Sequence, residues 1–279
     1  MNNPDRTVET SRRVHAWFDT PLGRSLQAFE ANRLREILPS LYGTVAVQIG
    51  RIGRLETMDA CVTATRIVLD VDGHGGSSCP APLPNGTTEE GGYAGCIGVA
   101  TELPFEGASV NLVLLPHTLD FSEDPHQILR EVNRVLAPEG HAVILGFNPL
   151  SLWGVRKIFT RRPRPAPWSA NFLRLARVKD WLALLDFELT QGLMLYYRPP
   201  LQHEGAMDRL HFLDKIGDRW WPMAAAAYLL VAKKRIVGMT PLRVSWKTRP
   251  ELTAGGEAAT PVPRISNARS PLQRRHHGR

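Results

Sequence analysis

Cysteine is scarce in this chain of 279 residues: Cys61, Cys79 and Cys96 are odd in number and form no Cys-x-x-Cys pair. A disulfide framework or a zinc knuckle is not expected, and a reducing compartment, the cytoplasm, is the default. Long apolar runs are also missing. The longest uncharged one, Trp220–Ala232, has thirteen residues with a proline inside it, too short to span a bilayer. The first residues, MNNPDRTVETSRR, contain no apolar stretch of the kind a secretory signal needs. Nothing here calls for a membrane partner.

Acidic residues are sparse towards the end of the chain. From Lys233 onward eleven Lys/Arg face only Glu251 and Glu257, a net +9, which leaves the remainder at −2 within the total of +7. A near-neutral body therefore carries a basic tail. From Gly238 the sequence is rich in Pro, Gly, Arg and Thr without periodicity, and reads as disordered over 238–279. Its basic end, RRHHGR, is suited to weak polyanion contact. Residues 1–13 read as a frayed start.

Between these ends, apolar segments alternate with helical patterns. Thr20 and Pro21 mark a helix start, and Leu26, Phe29, Leu34 and Ile37 recur at helical spacing to about Leu38. TVAVQIG (44–50) reads as a strand, ETMDACVTAT (56–65) as a short helix and RIVLDV (66–71) as a second strand. CIGVA (96–100) and VNLVLLP (110–116) follow as the third and fourth strands. In 124–140, Ile128, Leu129, Val132, Val135 and Leu136 form one apolar stripe, with Asp124 as cap and Pro138 and Gly140 as stops. HAVILGF (141–147) is the fifth strand, a helix covers about 179–185, and strands are expected at 187–197 and 224–235 after a polar helical insert. Strands alternating with helices predict an α/β doubly wound, mostly parallel sheet with helices on both faces.

Gly73, Gly75 and Gly76 follow the second strand and imitate a nucleotide-binding loop. Residues 73–95, however, hold seven glycines and three prolines, which no crossover helix accommodates. Placing the first strand at VAVQIGRIG (45–53) puts Asp70 twenty residues after Gly50. That is the spacing at which an acid on strand two reaches ribose hydroxyls. The turn Gly50-Arg51-Ile52-Gly53 lacks the GxGxxG pattern of a dinucleotide-binding oxidoreductase.

The segment 102–147 resembles the class I S-adenosylmethionine-dependent methyltransferases of the type 11 group. Leu103-Pro104-Phe105 stands before the fourth strand, Glu123-Asp124-Pro125 opens the helix, and LREVNRVLAPEG (129–140) leads into strand five. WFDTPLGRSL (17–26) and FNPLSLWGVRK (147–157) further resemble a proteobacterial branch of that superfamily. The resemblance spans roughly 15–235 and implies a Rossmann-like seven-stranded methyltransferase domain over 14–237. The first motif departs from the family pattern: Gln48 replaces the acid and Ile52 the middle glycine.

The resemblance implies S-adenosyl-L-methionine as cofactor and methyl transfer to an unidentified acceptor, with a small molecule expected. Gln48, Gly50, Arg51 and Gly53 would face the methionine end, Asp70 the ribose, and Thr101, Glu102 and Leu103 the adenine, with Pro116 and His117 as the floor. His117, Asp120 and Asn148 occupy substrate-side positions, where a neutral His117 would serve as base. His117 is equally readable as a hydrogen-bonded loop histidine, and Asn148 as a strand end. The spacing of His117, Asp120, Asp124 and His126 matches no zinc motif, so no metal is expected. Arg156, Lys157, Arg161, Arg162 and Arg164 beside Trp153 read as a solvated flap or an acidic-ligand patch. The alternative from another class is a non-catalytic methyltransferase-like module that binds RNA or a protein partner through its tail.

Overall fold

Seven segments pair into one sheet, and the aliphatic run Val110–Pro116 is buried on both faces near its centre. The computed structural model describes residues 13–50, 58–71, 94–160, 165–200 and 221–235. The strands are β1 (Gly43–Ile49), β2 (Thr63–Asp70), β3 (Ala94–Ile97), β4 (Val110–Pro116), β5 (Leu136–Phe147), β6 (Phe187–Leu195) and β7 (Ala227–Lys234). Their order is β3-β2-β1-β4-β5-β7-β6. β3, β2, β1, β4 and β5 run parallel, and β7 runs antiparallel to both β5 and β6. The expected doubly wound, mostly parallel seven-stranded sheet is therefore present.

Alternate residues of the strands feed two cores. Ala46, Leu112, Leu114, Val143 and Leu145 pack with Leu22, Leu26 and Leu34 of α2 (Pro21–Ile37), which follows a helical turn, α1 (13–18). Val47, Val113, Leu115 and Ile144 pack on the opposite face with Ile128, Leu129 and Val132. These last three belong to α4 (Pro125–Val135), which follows the short α3 (Thr118–Phe121). Val178 and Leu182 of α6 (Leu175–Leu184) join the same core, whereas α5 (Leu152–Phe159) lies after β5. Thr20 caps α2 by accepting from the Gly23 N–H, and Asp124 caps α4 by accepting from the Gln127 N–H.

Several boundaries differ from those the sequence predicts. In 56–65 only Met58–Ala60 forms a helical turn among the described residues, and β2 already begins at Thr63. The β-branched Thr63 and Thr65 favour the pleated strand. The helix predicted to reach Gly140 stops at Val135, where Leu136 pairs with Val110 and opens a longer β5. Pro138 biases Ala137 against helix, which favours the early strand. α6 starts four residues before the expected Lys179, and Pro222–Ala224 form a turn ahead of β7. Arg13, expected within the frayed start, opens α1. The expected helical insert after β6, the rest of the frayed start and the 238–279 tail lie outside the described residues. No helix among those described is long and apolar enough to cross a membrane.

One polar clamp explains why two separated motifs occur together. The Glu131 carboxylate accepts from the Leu103 N–H at 3.1 Å, and Arg134 donates to the carbonyls of Leu103 (2.9 Å) and Phe105 (3.0 Å). Arg134 also pairs with Glu131 at 2.8 Å, and this bond comes first among the causes that hold the Glu131 carboxyl below its usual range. α4 thus fixes the Leu103-Pro104-Phe105 loop that leads towards β4. Arg134→Ala is expected to lower unfolding free energy by about 2 kcal/mol. Urea denaturation checks this; Arg134→Lys, lacking the planar fork, should recover only part of the loss.

Candidate functional site

The carboxyl ends of β1, β2 and β3 meet at one edge of the sheet. Gly50 follows β1 with φ +85°, a left-handed conformation that suits glycine. Its N–H donates to the Leu69 carbonyl at 2.8 Å, so the exit of β1 lies directly beside Asp70. Asp70 pairs with Ile97, and its own carbonyl accepts from the Gly98 N–H at 3.1 Å. Gly50, Asp70 and Gly98 are thereby brought together, as the spacing from Gly50 to Asp70 predicts. A Cβ at Gly50 would lie 3.3 Å from Thr118 Oγ1, and that hydroxyl donates to the Ile49 carbonyl at 2.5 Å.

Gln48 is buried, and its Nε2 donates to the Gly50 carbonyl at 3.0 Å, bracing the turn from within the chain. Thr101 is half-buried and Glu102 exposed; the Glu102 N–H bonds the Val99 carbonyl, so this loop is folded on its own backbone. Pro116 ends β4, buried and paired with Leu145. Arg51 and Gly53 lie outside the described residues, as do Arg161, Arg162 and Arg164.

His117, expected on the substrate side, lies inside the protein between α2 and α3. Its ring is 1% exposed, with Nε2 at 2.9 Å from Glu30 Oε1 and Nδ1 at 3.1 Å from Asp120 Oδ2. Phe147 stacks on it at 4.1 Å, and Phe18 lies at 5.9 Å. Burial alone would lower the imidazole pKa. The Glu30 charge, the hydrogen bonds to Asp120 and Glu30 and the Asp120 charge outweigh it and lift it from 6.5 to about 9. His117 is therefore an imidazolium at neutral pH, whereas a general base must be neutral. Asp120 Oδ2 also accepts from the Phe147 N–H at 2.8 Å. Burial raises the Asp120 carboxyl against the pull of His117 and this N–H, so the charge opposite the imidazolium comes first from Glu30.

Asn148 is likewise committed. Its Nδ2 donates to the carbonyls of Met223 (2.7 Å) and Ala225 (2.9 Å), and its Oδ1 accepts from the Leu150 N–H. The side chain fastens the end of β5 to the turn before β7. Above it, Phe147 stacks on Trp153 at 6.0 Å and on Phe172 at 5.0 Å. Asp124 serves as a helix cap, and His126 packs edge-on against Trp181.

Glu30 is the residue that sequence reasoning misses. It is fully buried in α2, in step with Leu22, Leu26 and Leu34 at intervals of four. A carboxylate inside an apolar stripe is the signal that marks it. Its second oxygen, Oε2, has no hydrogen-bond partner among the described residues. Thr118, Glu131 and Arg134 were also outside the expected set and act by holding backbone.

The raised His117 pKa makes stability depend on pH. A cation favoured in the folded state stabilises fully below pH 6.5 and loses that contribution as pH rises through about 9. The expected loss across that window is on the order of 3 kcal/mol. Urea unfolding measured across the range should show it in the wild type and not in His117→Gln. A flat wild-type profile would mean that the imidazole enters the fold neutral.

A family model described as "Methyltransferase domain" matches residues 87–144. The uncharacterized protein YafS of Escherichia coli (strain K12) is 29% identical over 251 residues, covering 89% of this chain and 93% of that protein. An uncharacterized protein of Mycobacterium tuberculosis (strain ATCC 25618 / H37Rv) is 27% identical over 190 residues, covering 66% of this chain and 61% of its own length. Among solved structures, a chain in the complex of the Haloferax volcanii Trm112 methyltransferase activator with a methyltransferase matches with TM-score 0.53 and 15% identity. The match covers 80% of this chain and 98% of that one. A SAM-dependent methyltransferase from Thermotoga maritima matches with TM-score 0.51 at 15% identity, over 75% and 91% of the two chains. The chain thus has the fold of the class I methyltransferases and resembles a methyltransferase domain in sequence over residues 87–144.

Proposed function

We propose that the protein transfers a methyl group from S-adenosyl-L-methionine to a small-molecule acceptor. The observation that carries this reading is the adjacency of Gly50 and Asp70, fixed by the Gly50 N–H to Leu69 carbonyl bond. Without a side chain, Gly50 lets the backbone approach the methionine portion closely. Asp70 would accept from the ribose hydroxyls, and the backbone of Thr101–Leu103, held by Glu131 and Arg134, would edge the adenine. When bound, the cofactor supplies a methyl group already activated on a sulfonium, so the chain's task is to position the acceptor and exclude water. His117, Asp120 and Asn148 contribute by fixing α2, α3 and the end of β5 around that edge. An acceptor that is nucleophilic without a protein base suits this arrangement. The scarcity of cysteine and the buried thiols of Cys61 and Cys96 accord with work in the cytoplasm.

A second reading, a non-catalytic module that binds RNA or a protein, draws on the internal commitment of those same three side chains. Calorimetry with S-adenosylhomocysteine separates the two. Binding, weakened roughly tenfold or more by Asp70→Ala, supports the enzyme. A folded protein that fails to bind at millimolar ligand defeats it, and loss of RNA or partner binding on removing residues 238–279 would favour the module.

A further inference from the structure

The end of β1 is short of one backbone donor. The Gly50 N–H points to the Leu69 carbonyl of β2, so the Ile49 carbonyl of the same peptide points the other way, to β4. Gln48 pairs with Leu114, and the parallel ladder would next bring the N–H of residue 116 to that carbonyl. Residue 116 is a proline and has no N–H. The pairing of β1 with β4 accordingly ends at Gln48. The Thr118 hydroxyl serves instead, donating to the Ile49 carbonyl at 2.5 Å. His117 makes this possible, because at φ +53° it turns the chain back through the left-handed region. A residue with a side chain adopts that conformation at a cost in strain, and the bonds of its ring to Glu30 and Asp120 hold it there.

The next carbonyl is served in the same way. Gly50 bends left-handed after β1, and its carbonyl accepts from the Gln48 amide at 3.0 Å. An ionised acid at position 48 would have no proton to give. The Ile49 carbonyl, the Gly50 N–H and the Gly50 carbonyl are thus all bonded within the chain. Thr118 Oγ1 also lies against the bend itself, 3.3 Å from where a Cβ on Gly50 would stand. We propose that Thr118 is a positioning residue for the methyl donor: its hydroxyl replaces the N–H that Pro116 lacks and presets the Gly50 bend for the donor's methionine portion. The inference rests on the methyl-transfer reading. Thr118 acts through Ile49 and Gly50 and not by touching the donor. A bend ordered beforehand spares the ligand the cost of ordering it, and without the hydroxyl that cost falls on binding.

Calorimetry of the full chain with S-adenosylhomocysteine tests the role. Thr118→Val, of similar shape but without the hydroxyl, should keep the wild-type circular dichroism and bind roughly tenfold more weakly. Thr118→Ser, which retains the hydroxyl, should recover most of the affinity. A role in stability alone would leave the dissociation constant of the folded protein unchanged. In the unliganded wild type, amide hydrogen exchange at Gly50 should already be slow, and faster in Thr118→Val. Undiminished binding by Thr118→Val, or an equal loss in both variants, overturns the role and leaves the methyl-transfer reading standing. A Gly50 amide that exchanges freely in the unliganded wild type does the same, and decides the matter if Thr118→Val does not fold. Folded wild-type protein that binds no S-adenosylhomocysteine overturns the reading and the role together.

Discussion

A cation enclosed by aromatic rings persists only where carboxylates surround it. The His117 imidazolium meets this condition through Glu30 and Asp120, and each partner comes from a different part of the chain. Glu30 belongs to α2, His117 leaves β4, Asp120 lies in α3, and the Phe147 N–H that shares Asp120 closes β5. Desolvating three ionisable groups costs several kcal/mol each, and pairing offsets that cost only while the set is complete. The cluster therefore selects one placement of α2 over the sheet, where apolar contacts alone would tolerate neighbouring ones.

Other polar residues around the sheet serve the same end with less charge. Asn148 ties β5 to the chain before β7, and Glu131 with Arg134 ties the Leu103-Pro104-Phe105 loop to α4. Each uses a side chain to satisfy backbone groups that leave regular pairing at a strand end. The carboxyl edge is the part of a parallel sheet where loops must stay open to ligands. In this protein Asn148 and Thr118 act at that edge, whereas Arg134 lies where β4 and β5 begin.

β4 and α4 are legible in the sequence because nothing competes with their patterns: a continuous aliphatic run and an amphipathic stripe with a clear cap. The adjacency of Gly50 and Asp70 is legible as well, since the strand-to-strand interval fixes it. The segment 56–65 is misread because its apolar spacing fits a short helix, while its β-branched threonines favour pairing with β1. The roles of His117 and Asn148 are not legible. Their functional reading follows from position in a resembling family, whereas their actual partners lie 87 and 77 residues away in sequence. Glu30 escapes because an isolated carboxylate on a helix is ordinarily a solvated one.

Thr118 stands next to His117, and its hydroxyl grips the carbonyl of Ile49 at the mouth of β1. The residue that anchors the N-terminal helix and the one that braces the glycine bend are thus joined by a single peptide unit. Any tilt of α2 that drags the imidazole is delivered to Ile49 one residue later. The placement of α2 and the shape of the glycine bend are thus set by one continuous stretch of backbone.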